Sequence, residues 1–177
     1  VQALLSNTTG LFNTAVGREA LRNNTTAWNS NAVGYSALRK NNGNNNNAFG
    51  YGALYENTSG ASNTAMGHEA LVANTTGANN TATGYQAGYR ITTGGQNTAV
   101  GRNALDALTT GSDNEGLGYN SGHNITTGGH NTQLGRNTKA EDGGAEYQIA
   151  LGYGVQSSAD NSIYIGRDTG SNRIWNN

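Results

Sequence analysis

Cysteine and proline are both missing from this chain of 177 residues. Without cysteine there is neither a disulfide framework nor a thiolate metal site. Without proline, every residue after the first keeps a backbone N–H, as a chain devoted to sheet ladders requires. Large apolar residues are scarce: Leu, Ile, Val and Phe together number 26. That is too few for an ordinary globular core. No apolar run is long enough to cross a bilayer and no secretory leader is visible, so no membrane insertion is expected in this segment. Net charge is −1, from 10 basic and 11 acidic residues spread along the chain, which gives no footprint for nucleic acid. The chain begins at Val1 and stops at Asn177, and is expected to be a segment of something longer.

What the chain has instead is an abundance of Asn, Gly and Thr, arranged in a repeat. Asn97 to Leu105 (NTAVGRNAL) matches Asn13 to Leu21 (NTAVGREAL) and Asn63 to Leu71 (NTAMGHEAL). With the glycine of each copy as anchor, the series is Gly17, Gly34, Gly50, Gly67, Gly84, Gly101, Gly118, Gly135, Gly152 and Gly166. The spacing is 17 throughout, except for 16 before Gly50 and 14 before Gly166. A short fixed period means units that cannot bury an apolar face alone and stack on their neighbours. Seventeen residues are too few for the helix pairs of α-solenoids. The β-prone bursts such as Thr98-Ala99-Val100 and the intervening Asn-Thr-Thr-Gly segments predict two short strands and two turns per coil. The expected fold is all-β: a parallel β-solenoid of about ten coils, rising roughly 4.8 Å per coil. Residues 1–156 form the tandem repeats, and residues 157–177 a final 14-residue-type coil with a C-terminal cap or linker.

Equivalent positions then form columns along the rod. About seven residues before the anchor runs a second glycine column from Gly10 through Gly43, Gly60, Gly77, Gly94, Gly111 and Gly128 to Gly144, interrupted at Ala27. A fixed turn glycine predicts positive φ there. Four before the anchor lie Asn13, Asn46, Asn63, Asn80, Asn97, Asn114 and Asn131, with Ser30 and Gln148 completing the series. Stacked amides predict a structural ladder in which each side chain donates to the next.

One before the anchor is a column of large apolar residues, Val16 to Ile165, broken by Thr83. Four after it is a leucine column, Leu21, Leu38, Leu54, Leu71 and Leu105, with a run of alanines, Ala20 to Ala104, just inside. So thin a core struggles against chain entropy, which predicts a homo-oligomer pooling its apolar columns. Directly after the anchor stand Arg18, Tyr35, Tyr51, His68, Tyr85, Arg102, Tyr119, Arg136, Tyr153 and Arg167, all planar and hydrogen-bonding. They form a candidate stacking or recognition ladder, either stiffening the rod or holding ligands such as sugars on aromatic faces.

No arrangement supports catalysis or a cofactor. His68, His123 and His130 share no ligand spacing, and Glu19 and Glu69 lie three coils apart, roughly 15 Å, beyond a paired-carboxylate separation. Asp113, Glu115, Glu141 and Asp142 read as turn acids, so the chain is expected not to be an enzyme and to hold no metal.

The NTAVGREAL-type motifs and NTTG turns resemble the repeats of phage tail fibres and of the heads of trimeric autotransporter adhesins. The last segment, Asn161 to Gly166, is close to the 14-residue adhesin coil. The resemblance implies a left-handed homotrimeric β-roll exposed on a virion or a bacterial surface, with a cell-surface carbohydrate or protein as receptor. A host-recognition shaft is the expectation, with an adhesin head or extracellular filament as alternative. An ice-binding face ranks below both, because adjacent Thr pairs such as Thr75-Thr76 point to opposite sides of an extended segment. The tail from Asp168 resembles a tail-fibre lead-in, or a cap in which Ile174 and Trp175 cover the last coil.

Overall fold

The computed structural model describes residues 2–167 and, by their backbone, 172–174. One sheet of eleven strands runs the length of the rod in strict sequence order. β1 (Thr14–Val16), β2 (Asn31–Val33), β3 (Asn47–Phe49), β4 (Thr64–Met66) and β5 (Thr81–Thr83) are three residues each. β6 (Thr98–Val100), β7 (Glu115–Leu117) and β8 (Thr132–Leu134) repeat that length, while β9 (Gln148–Tyr153) and β10 (Ser162–Arg167) have six residues. Each pairs in parallel with the next at equivalent repeat positions, for example Thr64↔Thr81, Ala65↔Ala82 and Met66↔Thr83. The fold is a parallel β-solenoid whose coils follow the spacing of the anchor glycines. β11 (Asn172–Ile174) reverses direction and pairs antiparallel with β10, so the last parallel strand is not left as the sheet edge. The expected cover by Ile174 and Trp175 falls outside the described side chains.

Each coil contributes one extended strand to the sheet, not two. Opposite the sheet the chain folds into overlapping turns. In the first coil Ala20 N–H bonds Gly17 O, Arg22 N–H bonds Glu19 O, and Asn24 N–H bonds Leu21 O. The first two turns carry positive φ at their third residue, 62° at Glu19 and 49° at Leu21, as a type II turn requires. Propensity does not foresee this, because a leucine in the left-handed region costs about 1–2 kcal/mol. The leucine column adopts it nevertheless at Leu21, Leu38, Leu54, Leu71 and Leu105, because that conformation drives each side chain into the bore, where it is fully buried. Successive coils remain hydrogen-bonded on this side too: Leu21 N–H donates to Ala37 O and Leu38 N–H to Ala53 O.

The −7 glycines also differ from expectation. Positive φ belongs to the anchors, from 127° at Gly17 to 158° at Gly166, and not to Gly10, Gly43, Gly60, Gly77, Gly94, Gly111 or Gly128. These are glycine because the next coil's carbonyl passes so close: a Cβ would sit 2.3 Å from Gly94 O at Gly77 and 2.0 Å from Gly60 O at Gly43. In the coil of Gly152 the position is held by Ala145, with Gly144 just out of column. Ala27 and Ala145 each face a coil in which the period is shortened, those anchored at Gly50 and Gly166.

The interior is narrow. Ala32, Ala48, Ala65, Ala82 and Ala99 enter it from the strands, and Ala37 to Ala104 with the leucines from the turns. At the C-terminal end Tyr164 occupies the strand-alanine position and packs with Ala150 and Val155, filling the short last coil.

Candidate functional site

The −4 asparagines line the bore and are stacked along it. Their wiring differs from the expected side-chain chain. The backbone N–H of each donates to the Oδ1 one coil earlier: Asn63 to Asn46 at 2.9 Å, Asn80 to Asn63 at 2.9 Å, Asn97 to Asn80 at 3.0 Å. Asn114, Asn131 and Gln148 continue the series. Each Nδ2 reaches forward to the carbonyl at the −7 position of the next coil, as from Asn13 to Ala27 and from Asn80 to Gly94. Direct amide-to-amide bonds accompany these from Asn97, Asn114 and Asn131. The column therefore satisfies backbone groups that the turns leave without strand partners.

Two further ladders escape a reading of the sequence. The Asn that opens each turn segment is stacked, half-buried at Asn7 and buried at Asn24, Asn41, Asn57 and Asn74: Asn24 Nδ2 bonds Asn7 Oδ1, Asn57 Nδ2 bonds Asn41 Oδ1, and Asn74 Nδ2 bonds Asn57 Oδ1. Beyond Asn74 this column turns apolar at Ile91, Leu108 and Ile125, and Asn74 Oδ1, like Asn24 Oδ1, is buried without a hydrogen-bond partner. The signal was size compensation, since Gly88 and Gly122 replace leucine in the coils that gain an isoleucine here. A Cβ on Gly88 would lie 3.0 Å from Ile91 Cδ1. The first Thr of each turn donates its hydroxyl to the next coil's carbonyl, as from Thr58 to Thr75, Thr75 to Thr92 and Thr92 to Thr109. Those hydroxyls are committed to the neighbouring coil.

The planar column lies on the surface and stacks. Tyr35, Tyr51, His68 and Tyr85 follow one another at centroid separations of 5.2, 5.0 and 5.2 Å, with interplanar angles of 7°, 11° and 16°. Arg18 covers Tyr35, Arg102 sits between Tyr85 and Tyr119, and Arg136 between Tyr119 and Tyr153. Arg167 occupies the same position in the last coil. Ring faces are used by neighbours in the stack, so the ladder presents its edges to solvent and leaves sugars no free interior face.

The −1 column points outward. Val16, Phe49, Met66, Val100, Leu117, Leu134, Leu151 and Ile165 are 36–57% exposed, forming one apolar stripe along the sheet. Beside it, at −3, stand Thr14, Asn31, Asn47, Thr64, Thr81, Thr98, Glu115 and Thr132; Glu115 is the one charged residue in either column.

Charge gathers instead on the neighbouring flank. Glu19 meets Arg39 at 2.9 Å and Lys40 meets Glu56 at 2.7 Å. A valley runs here between the planar column and the column of Arg39 and Tyr55, floored by the column that holds Glu19, Gly52 and Glu69. It widens to about 370 Å3 around Gly52, between Tyr35, Tyr51, Arg39 and Tyr55, with Glu19 and Glu69 at its ends. A second widening of about 320 Å3 surrounds Gly154, with His123, Lys139 and Tyr153. Farther along the flank, burial pushes the Asp106 carboxyl up, while His123 and Arg90 oppose the shift. The folded protein thus holds this proton more tightly than the unfolded chain, so stability falls as pH rises through the Asp106 titration. Asp106→Asn is expected to raise the thermal midpoint at neutral pH and to flatten its decline above the usual aspartate range. A calorimetric pH series checks it, and a lower neutral midpoint contradicts it.

His68, His123 and His130 sit apart, and among the described residues no group of three or more His, Asp or Glu side chains converges on a metal-sized site. No described helix is long and apolar enough to cross a membrane. Comparison with protein-family models, curated proteins and solved structures finds no match.

Proposed function

We propose that this chain is a structural segment of a surface-exposed fibre, a left-handed homotrimer acting as rigid shaft and host-recognition surface in the manner of a phage tail fibre, outside the cell and without catalytic activity. The observation that carries the reading is the outward apolar stripe. A lone soluble rod gains nothing from a row of Val, Phe, Met, Leu and Ile side chains, interrupted by Thr83, on a sheet face with little charge, and apolar surface of that kind marks a protein–protein interface. Identical rods laid side by side align identical columns rung by rung, so the stripe is complementary to copies of itself. The shortened last coil, running from Gly152 to Gly166 and paired in register with β9, favours a bacterial trimeric adhesin head as second reading.

Light scattering during gel filtration is expected to give three times the 18.3 kDa chain mass. The triple substitution Val100→Lys, Leu117→Lys and Leu134→Lys places three like charges on the stripe without touching the bore. It is expected to release monomers or to prevent accumulation of folded protein. A wild-type chain that runs as a folded monomer overturns the fibre reading.

A further inference from the structure

We infer that the flank groove around Gly52 is a binding site for a pyranose sugar, one ring or two in size. Packing does not require the glycine at position 52. Gly52 has φ of 63°, but the same position in other coils is filled by Glu69, Gln86 and Asn103 at 55°, 52° and 55°. Nor is there crowding: a Cβ on Gly52 would meet only Glu69 Cγ, at an ordinary 3.6 Å. Close approach does not explain the missing side chain, in contrast to the −7 glycines, and the left-handed conformation, although it favours glycine, is carried by side chains elsewhere in this column. What its absence does is open the valley floor.

The lining decides the class of ligand. The groove offers phenol edges from Tyr51 and Tyr55, a guanidinium from Arg39, and carboxylates from Glu19 and Glu69. Those carboxylates are already held in place, Glu19 by Arg39 at 2.9 Å and Glu69 by Gln86 at 2.9 Å. Fixed acceptors, donors and phenols around a volume of about 370 Å3 suit a neutral polyol. An extended peptide would need a free strand edge or apolar pockets, and the rungs here are hydrogen-bonded to each other. A nucleic-acid strand would need a cationic track, whereas two carboxylates bracket this site. None of the lining residues belongs to the apolar stripe, so the inference gives the proposed fibre a recognition site without depending on its seam.

Saturation-transfer NMR with methyl glucoside, methyl galactoside and methyl N-acetylglucosaminide tests it on the whole chain. At least one sugar is expected to show transfer, weakened tenfold or more by Gly52→Gln, which reproduces the native Gln86 in the same turn. Tyr55→Ala is expected to give the same loss and serves if the first variant does not fold. No transfer with any of the sugars, transfer undiminished in both variants, or binding of peptides alone overturns the inference. Light scattering on the same samples separates the two proposals: a trimer that binds no sugar sinks only this one, and a sugar-binding monomer sinks only the fibre.

Discussion

Gly77→Ala, a change of one methyl group, is expected to lower stability by about 3 kcal/mol or more, placing it among the most damaging small substitutions a chain can carry. The added Cβ would lie 2.3 Å from Gly94 O, a backbone carbonyl held by the Asn80 side chain, and 2.5 Å from Asn74 Oδ1. Gly77 does not have positive φ, so the effect is one of contact and not of backbone preference. The reverse change, Ala27→Gly, is expected to stay within about 1 kcal/mol, the usual chain-entropy effect, because the native alanine already faces a shortened coil. Denaturant midpoints at matched protein concentration measure both. Equal, small effects would mean that the turns of successive coils are farther apart than described.

Asn97→Leu is the second severe case. Asn97 Oδ1 receives the Asn114 backbone N–H at 3.0 Å, and Asn97 Nδ2 gives to Gly111 O at 3.0 Å. Leucine has a similar volume and would bury readily. It would also strand one N–H and one carbonyl inside the rod, at about 1–3 kcal/mol each, so a loss of about 2–6 kcal/mol is expected. Thr98→Val, the next residue along but on the outer face, is expected to change stability by no more than about 0.5 kcal/mol. Comparable midpoints for the two variants would show that the asparagine column occupies the bore without supporting it.

Both predictions rest on columns visible in the sequence, although the reasons behind them were only partly legible there. The period, the anchors, the parallel stack and the −4 asparagines follow from counting, because in-register stacking turns a one-dimensional repeat directly into lines of neighbours. The turn side was harder. Nothing in the residue preferences of Leu21 or Glu19 announces positive φ, since tertiary burial overrides a local penalty there. The −7 glycines were visible, but conformation and close approach both select glycine, and only coordinates separate them. The Asn7 to Asn74 ladder was hidden because asparagine also favours turns, and because the column changes character at Ile91. The surface groove has no sequence motif at all. Its sign is a missing side chain at Gly52, in a chain rich in glycine.

Nearly every bond that joins one coil to another spans a single repeat of chain, whether near one end, as from Thr8 to Thr25, or near the middle, as from Asn97 to Asn114. Among the described residues no strand waits for a distant partner to return. The loop that must close to add a coil is therefore the same short one at every step, and its entropic cost does not grow with the length of the rod. Such a chain acquires order in the way a zipper closes, from whichever stretch first forms two matched teeth, and lengthening it adds steps without making any single step slower.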